Sequence, residues 1–342
     1  MILFALFVLG AHVGSFLNVC IWRLPRGESV MQPPSHCPKC DTRLRAWDLV
    51  PILSQLFLRA RCRYCGSKIS WRYAGIETLT GILFVLIGAQ PGNLNGGLFS
   101  GIWSGDTVRL LQQMVVVACL VVIFWIDYET FLIPISAAFL IGLAGIGADI
   151  WHVVHDGAAM TDGAIFGFSL LPAPLPESLV AMVATAGFLW IVREVFSQIY
   201  QREAMGFGDI FLTAGIAANI GWSGNIGTFF FLSVLLGALV GVALQLPRAI
   251  RAYRWAKKRE AKRRADKRKP AAWRAGALAR HALRRPMPFG PYLAVGAIVA
   301  LLYGTRLNAA YLDLVNPPPN SGVLLAPTNG LPNSFPMAPP PR

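Results

Sequence analysis

Charge is what this sequence has least of. Only 14% of its 342 residues are charged while 55% are hydrophobic, and mean hydropathy is +0.52. A soluble globular domain carries nearer a quarter charged residues, so that class is excluded and the composition points to a bilayer. Acids are scarcer than bases, 17 Asp and Glu against 31 Lys and Arg, which makes every acid inside an apolar stretch worth explaining. A cleavable secretory signal is also missing. No small-residue cleavage site follows Val19, and Arg23 and Arg26 lie on its carboxyl side, so the first apolar run reads as a retained anchor. No solenoid-period repeat and no Gly-x-Gly-x-x-Gly dinucleotide fingerprint is present.

What the sequence does have is long apolar runs. A spanning helix needs roughly 20 mostly apolar residues, and eight candidates lie at about 1–22, 73–90, 108–126, 131–151, 177–195, 209–222, 226–246 and 287–304. The sixth is short and rich in Gly and Ala, which suits a helix packed inside a bundle. The expected fold is an all-α polytopic membrane protein with about eight transmembrane helices and a small zinc-binding cytoplasmic loop domain. Its parts are a first helix (1–22), the zinc loop (23–72), a membrane core (73–246), a basic cytoplasmic loop (247–286), a last helix (287–304) and a Pro-rich external tail (305–342).

Charge distribution sets the orientation. Residues 23–72 carry ten Lys or Arg and residues 247–286 carry sixteen, while the opposite side holds only Arg109, Arg306 and Arg342. Basic loops stay cytoplasmic. The segment from His152 to Pro176, with Asp156 and Asp162 but no base, fits the outer side. The basic loop invites membrane lipid as a partner. Nucleic acid is not expected, because aromatic platforms are sparse among the basic residues.

Four of the six cysteines form two pairs, Cys37-Pro-Lys-Cys40 and Cys62-Arg-Tyr-Cys65, with 21 residues between them. Each Cys-x-x-Cys turn can aim two thiolates at one metal, and two turns complete the tetrahedral sulfur shell of structural zinc; redox thiols and disulfides are the alternatives, the latter disfavoured on the cytoplasmic side. A loop of this size has a marginal core of its own, so metal binding contributes much of its folding free energy. Cys20 and Cys119 lie unpaired in apolar helices and read as packing residues. His152 and His155, one helical turn apart, read as an interfacial pair.

Two aspartates stand out. Asp127 follows the apolar run Val115 to Ile126 and is expected in a very short turn at the cytoplasmic face. Asp209 follows Met205-Gly206-Phe207-Gly208 at the same level. Two carboxylates held close cannot both ionise easily, so one keeps a proton while the other accepts one from a shared water. That is the chemistry of an aspartic protease. Helix-end residues without chemistry are the plain alternative, and Glu129 ranks as a second candidate for either role.

Together the motifs resemble one family, the bacterial type IV prepilin peptidases, which also process type II secretion pseudopilins. The resemblance rests on Gly14-Ser15-Phe16-Leu17-Asn18-Val19 with Arg23-Leu24-Pro25, the paired Cys-x-x-Cys loop, and Trp71-Arg72-Tyr73 leading to Glu77. It continues with Asp127-Tyr128-Glu129-Thr130 up to Ile133-Pro134, then Met205-Gly206-Phe207-Gly208-Asp209, then Pro288-Phe289-Gly290-Pro291-Tyr292. It implies cleavage of a short basic leader after glycine at the cytoplasmic face of the bacterial inner membrane, with prepilin or pseudopilin precursors as substrates. It also implies methylation of the new amino terminus with S-adenosylmethionine. For that second reaction Glu77, a carboxylate entering an apolar helix beside the zinc loop, is the candidate cofactor contact, with an interfacial anchoring role as its alternative. The long basic insertion and the Pro-rich tail depart from the family pattern. Three other classes fit parts of it: a methyltransferase without peptidase activity, a non-enzymatic assembly factor, and a proton-coupled transporter. Aspartates gathered at one face, not strung along a path, argue against the last.

Overall fold

The computed structural model describes residues 1–90, 93, 105–156, 164–165, 168–169, 176–201, 203, 205–221, 225–265 and 287–315. Apolar runs lacking interior proline become helices wherever the sequence placed them. In chain order these are α1 (Ile2–Arg23), a five-residue turn α2 (Leu53–Phe57), α3 (Arg72–Gly88), α4 (Gly105–Thr130), α5 (Ile135–Asp156), α6 (Glu177–Tyr200), α7 (Phe207–Ile220), α8 (Asn225–Ala265) and α9 (Gly290–Val315). Each of the eight expected helices is therefore present. Six are long and apolar enough to cross a membrane, while α3 and α7 have 17 and 14 residues. Among the described residues the one pairing of strands is a two-residue hairpin, Ala164–Ile165 with Phe168–Ser169.

Several boundaries differ from the sequence reading. The turn expected at Asp127 is helical: α4 runs to Thr130, and Phe131 N–H still bonds Asp127 O at 2.9 Å. The helix stops there because Phe131 adopts a left-handed φ of 58° and Pro134 excludes the helical conformation from the residue before it. At the other end of the chain, α9 begins at Gly290 and runs through residues 305–315, which the sequence assigned to the tail. Helix α8 carries straight past Pro247 into the basic stretch. The rest of that stretch, the body of the outer loop including Asp162, and the tail beyond 315 lie outside the described residues.

Helix α4 organises the bundle because it is apolar on two sides. Met114, Val117 and Val121 face a cluster with Leu6, Leu17, Ile21, Ile76, Phe84 and Ile87 from α1 and α3. Val116, Leu120 and Ile123 face a second cluster with Ile141, Leu212, Ile216, Phe229 and Leu293 from α5, α7, α8 and α9. Outward-facing Phe139, Leu143, Phe188, Trp190 and Ile191 are exposed, as side chains bathed by acyl chains should be.

Lipid tails are as apolar as leucine, so helix association here rests on close packing and small residues. A Cβ added to Gly10 would lie 2.8 Å from Gly81 Cα, and one on Gly14 would lie 2.8 Å from Glu77 Cα, so α1 and α3 touch along their backbones. Between α5 and α7 the same holds: a Cβ at Gly145 would meet Ala218 O at 2.6 Å, and one at Gly215 would meet Ala138 O at 2.8 Å. These obstacles are backbone and cannot swing away. Gly145→Val should therefore lower stability by about 1–3 kcal/mol, measured as a fall in Tm of the detergent-solubilised protein. Gly147→Val, two residues along the same helix with no atom within 4 Å of its added Cβ, should leave Tm nearly unchanged.

Candidate active site

Asp127 sits in the last turn of α4, where its own helix offers a negative dipole end. What compensates is another helix. Asp127 Oδ2 accepts the Gly290 N–H at 2.8 Å, and Gly290 is the first residue of α9, so the buried carboxylate caps the positive end of that helix. A Cβ on residue 290 would lie 2.6 Å from the same oxygen. Glycine is required there by space.

Asp209 uses the same device on α7. It is the third helical residue after the N-cap Gly206, in the first turn of the helix, where the positive end of the dipole favours a carboxylate. Its position is set from two sides. Arg193 of α6 donates from Nε to Met205 O at 3.0 Å and lays its guanidinium 4.0 Å from the Phe207 ring centroid. Gly208 faces Ile133, whose Cβ would lie 2.9 Å from an added methyl, bringing the turn after Asp127 onto the start of α7. The two aspartates are thereby gathered at one end of the bundle.

Glu129 is turned elsewhere. It pairs with Arg72 NH1 at the start of α3, and that guanidinium lies 5.2 Å from the Trp125 ring centroid. A cavity of about 570 Å³, lined by Gln90, Arg109, Gln112, Asn219 and Arg306 among others, opens near the far end of α4. Arg109 is 18 residues from Asp127 along one helix, about 27 Å, so this cavity is separate from the aspartates.

The four cysteines meet as the spacing predicts. The Sγ atoms of Cys37, Cys40, Cys62 and Cys65 lie within 4.8 Å of one another, and Cys37 and Cys65 are 3.9 Å apart. A tetrahedron with zinc–sulfur bonds of 2.3 Å has edges of about 3.8 Å, so the donor set fits zinc. Each pair is presented by the same turn: Asp41 N–H bonds Cys37 O, Gly66 N–H bonds Cys62 O, and the bridges His36–Arg43 and Arg61–Lys68 close the two knuckles. The Lys39 amide pulls the Cys37 thiol down to about 6 and the Ser67 hydroxyl lowers that of Cys65, while Cys62, hydrogen-bonded to both, is raised and keeps the proton they give up. His36 faces Asp41 at 3.6 Å, leaving the sulfur shell to the cysteines.

Glu77 is buried between α1 and α3, and its Oε2 accepts the Ile52 N–H at 2.7 Å. It ties the zinc lobe to the helix pair. Nearby, buried Asn18 donates to Gly14 O and Tyr73 O. Of these supporting residues, Arg193 is legible in the sequence only as a charge near a membrane face, and Arg72 and Gly290 only as parts of motifs.

Residues 8–90 match the bacterial peptidase A24 N-terminal domain, and residues 114–242 match the type IV leader peptidase family. The chain is 37% identical over 243 residues to a prepilin leader peptidase/N-methyltransferase of Myxococcus xanthus, covering 70% of this chain and 62% of that one. Against the protein of the same description from Neisseria gonorrhoeae it is 32% identical over 263 residues, covering 70% and 81%. Against that of Dickeya chrysanthemi it is 29% identical over 325 residues, covering 88% and 92%. No solved structure matches the chain.

Two outcomes follow from the geometry. Purified protein should carry one zinc per chain by elemental analysis, and Cys62→Ser should lose it, with faster amide exchange confined to the lobe while the bundle stays helical. Gly290→Ala should displace the Asp127 carboxylate and reduce turnover about tenfold or more, equivalent to 1.4 kcal/mol, with zinc content unchanged. Leader cleavage by the purified variant is the measurement.

Proposed function

The chain belongs to the type IV leader peptidase family, and from that premise we propose that it removes the short basic leader of type IV prepilins and pseudopilins after glycine, with Asp127 and Asp209 as its catalytic carboxylates. The single observation that carries the assignment is that two acids from distant parts of a charge-poor chain sit on helix amino termini at the same end of the bundle. Buried acids in a membrane protein are costly unless they serve a site.

In this reading the ionised aspartate takes a proton from a water that attacks the scissile carbonyl, while its protonated partner hydrogen-bonds the carbonyl oxygen. The tetrahedral adduct collapses as the leaving amine receives a proton, and no covalent intermediate forms. The Gly290 amide holds the Asp127 carboxylate, and the amino end of α7 favours that of Asp209. The cut falls at the cytoplasmic face of the inner membrane, with residues 23–72 and 247–286 on the same side, an orientation supported by their ten and sixteen basic residues.

Methylation of the new amino terminus is proposed as the second reaction, from the description shared by the relatives. Bound S-adenosylmethionine would supply the electrophilic methyl group. Of the two roles open to Glu77, its burial and its bond to the Ile52 amide favour the anchor. The bond from Ile52 takes up one acceptor position of Oε2, and the carboxylate's other acceptor positions keep contact with the methyl donor as the second reading of Glu77.

The test is cleavage of a purified precursor with a basic leader, a Gly-Phe junction and an apolar helix. Wild type should cut after glycine, and Asp127→Asn and Asp209→Asn should each fall by at least 10²–10⁴-fold, the usual worth of a positioned acid or base, while keeping zinc and helicity. Normal cutting by either variant would sink the dyad.

A further inference from the structure

Between the two cysteine knuckles lies a stretch that zinc binding does not need. Residues 46–58 read Ala-Trp-Asp-Leu-Val-Pro-Ile-Leu-Ser-Gln-Leu-Phe-Leu, ten of thirteen apolar. In a small water-facing lobe those side chains should turn inward. They do the reverse: Trp47 is 77% and Phe57 82% exposed, and Leu49, Leu53 and Leu56 are also exposed among the described residues.

The height of this stretch is fixed by one hydrogen bond. Ile52 N–H donates to Glu77, which lies five residues, about 7.5 Å, inside the start of α3 at Arg72. Glu77 in turn packs against Gly14, and nine residues of α1, Ser15 to Arg23, lie between that level and the helix end. At 1.5 Å per residue this is about 13 Å. The centre of the segment therefore sits beside membrane helices, well below their basic ends.

At that depth a segment's backbone must find partners within the protein, and over the turn it does, although the buried Gln55 Oε1 has no partner among the described residues. Ser54, Leu56 and Leu58 N–H bond Val50, Ile52 and Ser54 O, and Ala60 N–H bonds Gln55 O. Its one acid, Asp48, is taken in by Arg63 Nε at 2.7 Å and Tyr64 OH at 2.9 Å. Exposed bases, Arg43, Arg45, Arg59 and Arg61, flank the apolar run on both sides, placed to reach headgroup phosphates while their stems lie along the acyl boundary.

We propose that residues 46–58 form a re-entrant segment of the zinc lobe, with Trp47, Leu49, Leu53, Leu56 and Phe57 inserted into the bilayer leaflet on the lobe's side. Lipid is the occupant because the Glu77–Ile52 bond sets the segment at bilayer depth beside α1 and α3, and arginines bracket it as they bracket a membrane helix. The lobe is thus held by lipid as well as by its two chain connections. This inference does not depend on the proposed cleavage chemistry.

The test is tryptophan quenching in nanodiscs, comparing the full-length wild type with Trp47→Leu, which keeps the site apolar. Both proteins should retain zinc and the same Tm. Lipids brominated on the acyl chain should quench a component of the wild-type emission that Trp47→Leu lacks, and aqueous iodide should not reach it. Iodide quenching of that component would overturn the proposal by placing Trp47 in water. Shielding from both quenchers would also overturn it, by showing protein, such as a second copy, over the segment.

Discussion

The bond between the Asp127 carboxylate and the Gly290 amide is the constraint on which the site depends. It joins the end of α4 to the start of α9, residues 163 apart in sequence. Isolated, each partner is unfavourable: an acid at a helix carboxyl end, and an unsatisfied N–H at a buried amino end. Brought together, they cancel one another's cost without a counter-ion. The sequence can then keep an acid in an apolar bundle without a lysine or arginine salt bridge, which would hold the carboxylate permanently charged.

Asp209 repeats the solution at the start of α7, and the repetition explains why the bundle is built around small residues. Both aspartates belong to different helices, so their mutual placement is only as good as the contacts between helices. Backbone-to-backbone packing of α5 on α7 through Gly145 and Gly215 leaves little play, whereas long flexible side chains would allow several registers. Arg193 then fixes the connection before α7 from the side, through the Met205 carbonyl and the Phe207 ring.

The fold was legible because lipid simplifies the code. A helix in a bilayer must be long, apolar and bounded by charge, and all three features survive in a linear string. The zinc knuckles were equally plain, since two residues between cysteines set the geometry of each turn. What stayed hidden depends on pairing across distance. Asp127 was read as a turn residue because the apolar run ends before it, but the helix continues one more turn on backbone bonds that hydropathy does not register. The partners Gly290, Arg72 and Ile52 meet their acids from 163, 57 and 25 residues away, and no local pattern marks such meetings. The last helix is expected to end at 304 and the Pro-rich disordered stretch to begin at Asn316, yet α9 continues through the residues between them, which contain no proline.

Two separate contacts tie the zinc lobe to α3 and the start of α3 to the end of α4, and their chemistry divides the work. Glu77 holds Ile52, which sets the height of the lobe; Arg72 pairs with Glu129, which sets its distance from the end of α4. Glu129 lies only two residues from Asp127, so on a helix the two point about 200° apart. One therefore faces the α9 amide while the other faces α3. That angular separation explains why neighbouring acids take unrelated roles, and why Glu129, despite its proximity in sequence, is held by a cation while Asp127 is held by a neutral amide. A base at Asp127 would fix one charge state, whereas a backbone N–H leaves the proton free to come and go, as acid–base chemistry between two carboxylates requires.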